Sequence, residues 1–325
     1  MTKITSKEIK QTLNEITKKF GDEAIMLFDE NNIDMSIETF NSGSYLLDNA
    51  LGIGGYPKGR IIEIYGPESS GKTTLCLHAI AEVQKKGGVA AYIDAEHSID
   101  PIYAKNLGVE LDSLILSQPD SGEQALEIVD LLVKSKSIDL IVVDSVAALV
   151  PEAELNGDMH DQTIGLQARL MSKALRKITG NLNKNGTTII FVNQIREKIG
   201  ILFGNPETTT GGRALKFYSS IRLEVRKTTS IAEGKDITGN EIKIKIVKNK
   251  LAPPYKTFTT EIIFGKGVDS IGELIEMACE KGILSKKGSW YSYGDKNIAQ
   301  GKKNLKDFFE KNKEVFLEIK NKILG

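Results

Sequence analysis

The residues best placed to do chemistry lie in GPESSGKTT, Gly66 to Thr74. Gly66, Gly71, Lys72 and Thr73 fit the pattern G-x-x-x-x-G-K-[ST], a loop whose backbone N–H groups cradle phosphate oxygens. Pro67, Glu68, Ser69 and Ser70 fill the loop and Thr74 follows it, so the whole run is a candidate phosphate site. Glycine suits such a loop because it adopts backbone angles that a Cβ forbids. Lys72 would reach the β- and γ-phosphates, and the Thr73 hydroxyl would ligate Mg2+. The pattern implies binding of a nucleoside triphosphate.

Other polar residues stand at the ends of apolar runs. LIVVDS puts Asp144 where phosphate-loop enzymes carry the carboxylate that holds Mg2+ through water. VAAYIDAEHS offers Asp94 and Glu96, and Glu96 lies further out, nearer a γ-phosphate. A carboxylate there can orient or deprotonate an attacking water. The residues alone favour Glu96 without excluding Asp94. TTIIFVNQ ends in Asn193 and Gln194, amides able to bond a γ-phosphate or, equally, to satisfy local backbone. With only His78, His97 and His160 in the chain, no Ser/His/Asp set is credible, and no Cys/His cluster has metal-ligand spacing.

These residues need a scaffold. RIIEIY before the loop reads as a buried strand, and TTLCLHAIAEVQKKGG after it as a helix stopped by Gly87 and Gly88. Strand, glycine turn and helix start aim N–H groups and a helix dipole at the phosphates. IIEIYG, VAAYIDAE, SLILSQP, LIVVDS and TTIIFVNQ alternate with helices, and most are continuous apolar runs, as expected of parallel strands covered on both faces. SIRLEVRK and EIKIKIVK alternate strictly, which predicts antiparallel strands extending one side of the sheet. The expected fold is α/β, a doubly wound, mostly parallel sheet with ligands at the carboxyl ends of its strands.

Two further pieces flank this core. Ile9, Leu13, Ile16 and Phe20 form one apolar stripe on a helix over residues 5–20, with Thr5 and Glu8 as a capping box. The stripe could pack on its own core or dock on a neighbouring subunit. From 270 to 325 the chain turns lysine-rich and mainly helical, with a short strand and loop region at SWYSYGDKNIAQGKKN. The expected divisions are 1–36, 37–269 and 270–325. With 325 residues, 40% hydrophobic, 26% charged and no net charge, bulk charge hints at no nucleic-acid partner, so any such surface must be local. Cys76 and Cys279 read as buried thiols. No run reaches the roughly 18 apolar residues of a membrane helix, and no signal peptide is evident, so the expected compartment is the cytoplasm.

One such local surface stands out. Between Arg169 and Lys198 there are seven basic residues (169, 173, 176, 177, 184, 196, 198) against one acid, Glu197. Leu166, Leu170, Ala174, Ile178 and Leu182 predict the apolar face of the helix that carries the first of them. Glycine-containing loops at 156–165 and 195–212 bracket it. Cations, apolar side chains and glycine N–H groups suit single-stranded nucleic acid; a solvated helix face and a mobile nucleotide lid remain the alternatives.

GPESSGKTTL, DAEHSIDPIYAKNLGV, SQPDSGEQALEI, VVDSVAALVP, GLQARLMSKALRKITG, NQIREKIG and FGNPETTTGGRALKFYSSIRLEVR together closely resemble the bacterial RecA recombinases, from about residue 37 to beyond 300. The resemblance implies an ATP-dependent filament on single-stranded DNA that pairs it with homologous duplex DNA and exchanges strands. It also implies co-protease activity toward an SOS repressor of the LexA type. By position, Glu96 resembles the catalytic glutamate, Gln194 the γ-phosphate sensor, and Asp100 and Tyr103 adenine contacts. Lys248 and Lys250 match lysines that reach ATP across a subunit interface, Phe217 an interface residue, and residues 5–20 the polymerisation helix. Ile164, Arg169, Arg176, Arg196, Lys198, Ile199, Gly211 and Gly212 fall at primary DNA positions, and Lys286 and Lys302 match lysines that guide duplex DNA.

His160 stands where the family usually has glycine, Thr163 where histidine is frequent, and KNKILG lacks the acidic tail many relatives carry. A hexameric helicase-like or other motor ATPase on the same core is the alternative function. It would bring a trans-acting arginine finger, where this chain has Lys248 and Lys250. A small-molecule kinase would need a lid arginine cluster, and a non-catalytic scaffold would not need Lys72, Thr73, Glu96 and Asp144 together.

Overall fold

A computed structural model describes residues 7–21, 24–25, 37–158, 160, 163, 165–197 and 206–324. The chain clusters into two units, 1–37 and 38–325. In the first, a helix spans Lys7–Phe20 and carries the expected stripe. Thr5, half of the expected capping box, lies outside the described residues.

The second unit is built on a ten-stranded sheet. Its central strands run in the order Ile221–Glu233, Ile61–Gly66, Thr188–Glu197, Leu140–Asp144, Ala90–Asp94, Leu114–Ser117, all parallel. Side chains alternate between two cores. Ile62, Ile64, Tyr92, Val142 and Ile190 point to one, and Ile61, Ile93, Ile141, Val143 and Phe191 to the other. Helices cover both faces at the centre, so Ile61–Gly66, Ala90–Asp94 and Leu140–Asp144 are buried nearly end to end and mostly apolar. Glu63 is an exception, fully buried and paired with Arg222 and Asn193.

One strand differs from expectation. Ile221–Glu233, predicted antiparallel, joins Ile61–Gly66 in parallel. On that side of the sheet antiparallel pairing begins beyond it, through Asp236–Asn249, Thr257–Ile263 and Gly267–Val268. The alternation itself holds: Ile221, Leu223, Val225, Ile242, Ile244 and Ile246 are all buried. Period two reported a half-wet sheet face and not the direction of the neighbouring strand.

The basic helix spans Leu166–Asn185, but its buried seam is Met171, Leu175, Ile178 and Leu182, while Leu170 and Ala174 are only partly buried. The seam departs from a strict i+4 series because a buried stripe drifts around a helix of 3.6 residues per turn.

Beyond Ser270–Glu280 the chain forms a three-stranded antiparallel sheet, Leu284–Lys287, Trp290–Tyr293 and Lys296–Gln300. Two helices follow, Lys302–Lys311 and Lys313–Leu324. Leu274, Tyr291, Leu305, Phe309, Ile319 and Ile323 form a small core there that also takes in Leu46. Glu273 ties the helix Ser270–Glu280 back to the large sheet, accepting from Ser44 Oγ at 2.7 Å and Thr260 Oγ1 at 2.6 Å. Cys76 is buried as expected, whereas Cys279 is only partly so. Among the described residues, no helix is long and apolar enough to cross a membrane.

Candidate nucleotide and nucleic-acid site

The loop after Ile61–Gly66 leads into the helix Lys72–Lys85. Gly71, at the helix start, has φ 94°, and Ser69 also lies in the left-handed region. A Cβ on Gly66 would run into the Val225 carbonyl, so that glycine is fixed by a close backbone approach. Ser69 to Thr74 line a cavity of about 570 Å3, a size that admits a nucleotide. Tyr103 joins the lining, with its hydroxyl 2.9 Å from Thr74 Oγ1.

Lys72 Nζ donates to the Pro67 carbonyl at 2.7 Å, and burial lowers its pKa below the ordinary lysine value. Thr73 Oγ1 donates to Asp144 Oδ2 at 2.7 Å, and the Tyr92 hydroxyl donates to the same oxygen at 2.8 Å. Burial raises the pKa of Asp144, while these two hydrogen bonds oppose the rise. The Asp144–Ser145 peptide is cis.

The arrangement fits Mg2+ and a triphosphate. Ser70 Oγ is buried without a hydrogen-bond partner among the described residues, leaving a donor beside the phosphate cradle. Thr73 and Asp144 together supply hard oxygen donors. No group of three or more His, Cys, Asp or Glu able to hold a metal exists among the described residues.

Glu96 and Gln194 meet above the strand that ends at Asp144. Glu96 Oε1 accepts from Gln194 Nε2 at 2.9 Å and also from the Ser145 hydroxyl. Asp94 does something else: fully buried, it accepts from the backbone of Ser98 and Ile99 and from Gln118. It shapes the loop that carries Glu96. Asn193 and Gln194, expected at a strand end, lie inside a strand that continues to Glu197, because its last residues pair with Glu207–Thr209. Asn193 is fully buried and bonded to Glu63 and Thr210, so its amide serves the local network.

Several expected residues sit elsewhere. Asp100 is outside the cavity lining and caps the helix Pro101–Asn106 through Ile102 N and Tyr103 N. Pro67 and Glu68 do not line the cavity either. Lys248 donates to the carbonyls of Lys216 and Phe217 at 2.7 and 3.1 Å, and Lys250 to that of Phe217 at 3.3 Å. Phe217 itself is 70% exposed. The sequence reading missed Lys227, Asn240, Ile242, Ile262, Phe264 and Gly265, which complete the cavity from the antiparallel strands. No local motif marks them, since they reach the loop only through strand pairing. It also missed Ser145 and Tyr92, whose only signal was adjacency to the strand-end carboxylates.

On the nucleic-acid side, Arg169, Arg176 and Arg196 are exposed. Lys177, on the same basic helix, pairs with Asp130 at 2.7 Å. Gly211 and Gly212 have φ 75° and 78°, and a Cβ on Gly212 would press on Ala168 of that helix. Ile164, Lys198 and Ile199 lie outside the described residues. Lys286 sits over the Tyr291 ring, and Lys302 pairs with Glu276 and Glu261.

The chain matches the RecA N-terminal domain family over residues 7–269 and the RecA C-terminal domain family over residues 272–325. It is 69% identical to Protein RecA of Mycoplasma mobile over 98% of this chain and 96% of that one. It is 66% identical to Protein RecA of Mycoplasmopsis pulmonis over 97% and 93% of the two chains. Similarity extends to Protein RecA of Lactobacillus johnsonii, at 60% identity over 96% and 86%.

Proposed function

The chain belongs to the RecA family, and from that premise we propose that it is a DNA-dependent ATPase that polymerises on single-stranded DNA, pairs it with homologous duplex DNA and exchanges the strands. We divide it into a polymerisation helix and linker at 1–36, an ATPase core at 37–269 and a C-terminal domain at 270–325.

In this reading the backbone of Gly66–Thr74 and Lys72 grip the phosphates of ATP, and Tyr103 and Asp100 lie toward the adenine. Thr73 and Asp144 hold Mg2+, which when bound neutralises charge on the transferred phosphate. Glu96 orients and deprotonates the attacking water. Gln194 senses the γ-phosphate. Arg169, Arg176, Arg196, Gly211 and Gly212, with Ile164, Lys198 and Ile199, bind single-stranded DNA, and Lys286 and Lys302 guide the duplex. Lys248, Lys250 and Phe217 face the adjoining subunit, where the two lysines reach its ATP. The assembled filament activates self-cleavage of an SOS repressor of the LexA type.

The observation that supports this most is the 2.9 Å bond from Gln194 to Glu96. Gln194 shares its strand with Arg196, so the side chain against the hydrolytic carboxylate and a cation offered to DNA belong to one rigid element. Nucleotide state and DNA contact are thereby mechanically joined.

The test is ATP hydrolysis with and without single-stranded DNA, in the parent chain and in Glu96→Ala. Turnover should rise with DNA and fall by roughly 10²–10⁴ in the variant, the usual contribution of a general base, while DNA binding survives. Turnover indifferent to DNA would sink the proposal.

A further inference from the structure

We propose that Tyr92 is a positioning residue for the Mg2+ site: its hydroxyl anchors one carboxylate oxygen of Asp144 and so fixes the other for the water shell of the cation. The inference rests on the reading of Gly66–Thr74 as a Mg2+–nucleotide site.

Tyr92 sits on the strand Ala90–Asp94, beside Leu140–Asp144 in parallel register, with Asp94 opposite Asp144. Its side chain is fully buried among the apolar residues of one core. A phenylalanine would fill nearly the same volume, so packing there does not demand a hydroxyl. The hydroxyl reaches Asp144 Oδ2 at 2.8 Å, the oxygen that also accepts from Thr73 Oγ1 at 2.7 Å.

The two donors come from different elements, Tyr92 from a strand and Thr73 from the first turn of the helix Lys72–Lys85. Gripped on one oxygen from two directions, the carboxylate cannot rotate about its Cβ–Cγ bond without breaking a charge-assisted bond. Oδ1 accepts no hydrogen bond among the described residues. Deleting the phenol oxygen leaves Thr73 as the one anchor of Oδ2 among the described residues, and Thr73 is itself the proposed ligand of the cation. Tyr92 therefore holds Asp144 independently of the metal, as the outer partners of metal ligands do elsewhere.

The test is binding of a fluorescent ATP analogue to the full chain as a function of free Mg2+, and separately in EDTA. Tyr92→Phe should raise the half-saturating Mg2+ about tenfold, the lower end of what losing such a partner costs. Affinity in EDTA and the thermal midpoint should stay at parental values. In an Asp144→Asn background the same substitution should add no further shift, since its effect passes through that carboxylate.

An unchanged Mg2+ dependence overturns the proposal. So does a shift that persists in the Asp144→Asn background, or a parallel fall in EDTA affinity and thermal midpoint, which would make Tyr92 a packing residue only. A parent chain whose nucleotide binding ignores Mg2+ overturns the underlying site reading, and this one with it.

Discussion

Gln194 Nε2 donates to Glu96 Oε1 at 2.9 Å; Gln194 lies on the strand Thr188–Glu197 and Glu96 in the turn just after Ala90–Asp94, two strands that flank a third. The strand between, Leu140–Asp144, ends beneath them at Asp144, and the next residue, Ser145, donates its hydroxyl to the same Glu96 oxygen. The Glu96 carboxylate is thus held from two sides. Gln194 occupies one of those sides and stands two residues before Arg196.

That placement separates two effects. Gln194→Ala should keep nucleotide binding, which depends on the loop Gly66–Thr74, and should lose stimulation of hydrolysis by single-stranded DNA. One charge-assisted hydrogen bond is at stake, so the stimulated rate should drop about tenfold or more. Nucleotide affinity and turnover measured with and without DNA check this. A variant still fully stimulated by DNA would show that the coupling runs elsewhere.

Much of this site could be read in the sequence because its chemistry is local. Lys72 and Thr73 follow Gly71 in one turn, and Asp144 closes an apolar run, so strand–loop–helix logic located them. Asn240, Phe264 and Gly265 could not be read, because they meet the loop only through antiparallel pairing of residues far along the chain. The same holds for Glu63: a lone acid in RIIEIY carries no sign that Arg222 and Asn193 will neutralise and bond it. In the C-terminal domain the hairpins do leave a sequence signal. Gly288-Ser289 and Gly294-Asp295 separate short alternating runs, and both glycines adopt positive φ (61° and 58°), the mark of tight hairpins.

Glu273 offers a test of how the C-terminal domain is fastened. It is 2% exposed and accepts from Ser44 Oγ, Thr260 Oγ1 and Leu46 N, three groups of the large sheet's neighbourhood. Glu273→Ala strands these donors in a dry interface, at a cost of about 3 kcal/mol if one or two stay unsatisfied. Urea unfolding of the full chain should show that loss. Amide exchange should quicken over residues 270–324 before the central strands. A change below about 0.5 kcal/mol, the scale of an ordinary surface substitution, would mean that water replaces the carboxylate without penalty.

Lys248 gives the pH prediction. Burial, with repulsion from Lys250 and Arg222, pushes its ammonium from 10.5 down to about 8, against an opposing pull from Glu63. The group is charged below about 8 and neutral above it. A role that needs the cation, such as reaching the nucleotide of an adjoining subunit, is therefore lost as pH rises through 8, well before an ordinary lysine would titrate. Linkage gives stability the opposite sign. Between 8 and 10.5 the unfolded chain binds more protons at this position, so this group stabilises the fold as pH climbs, and its titration does not weaken the fold. At subsaturating ATP, DNA-dependent hydrolysis should fall across this range in the parent chain. In Lys248→Arg, whose guanidinium stays charged beyond about pH 12, it should hold to higher pH wherever the variant retains activity. Parallel pH profiles for the two proteins would show that Lys248 does not carry the titration.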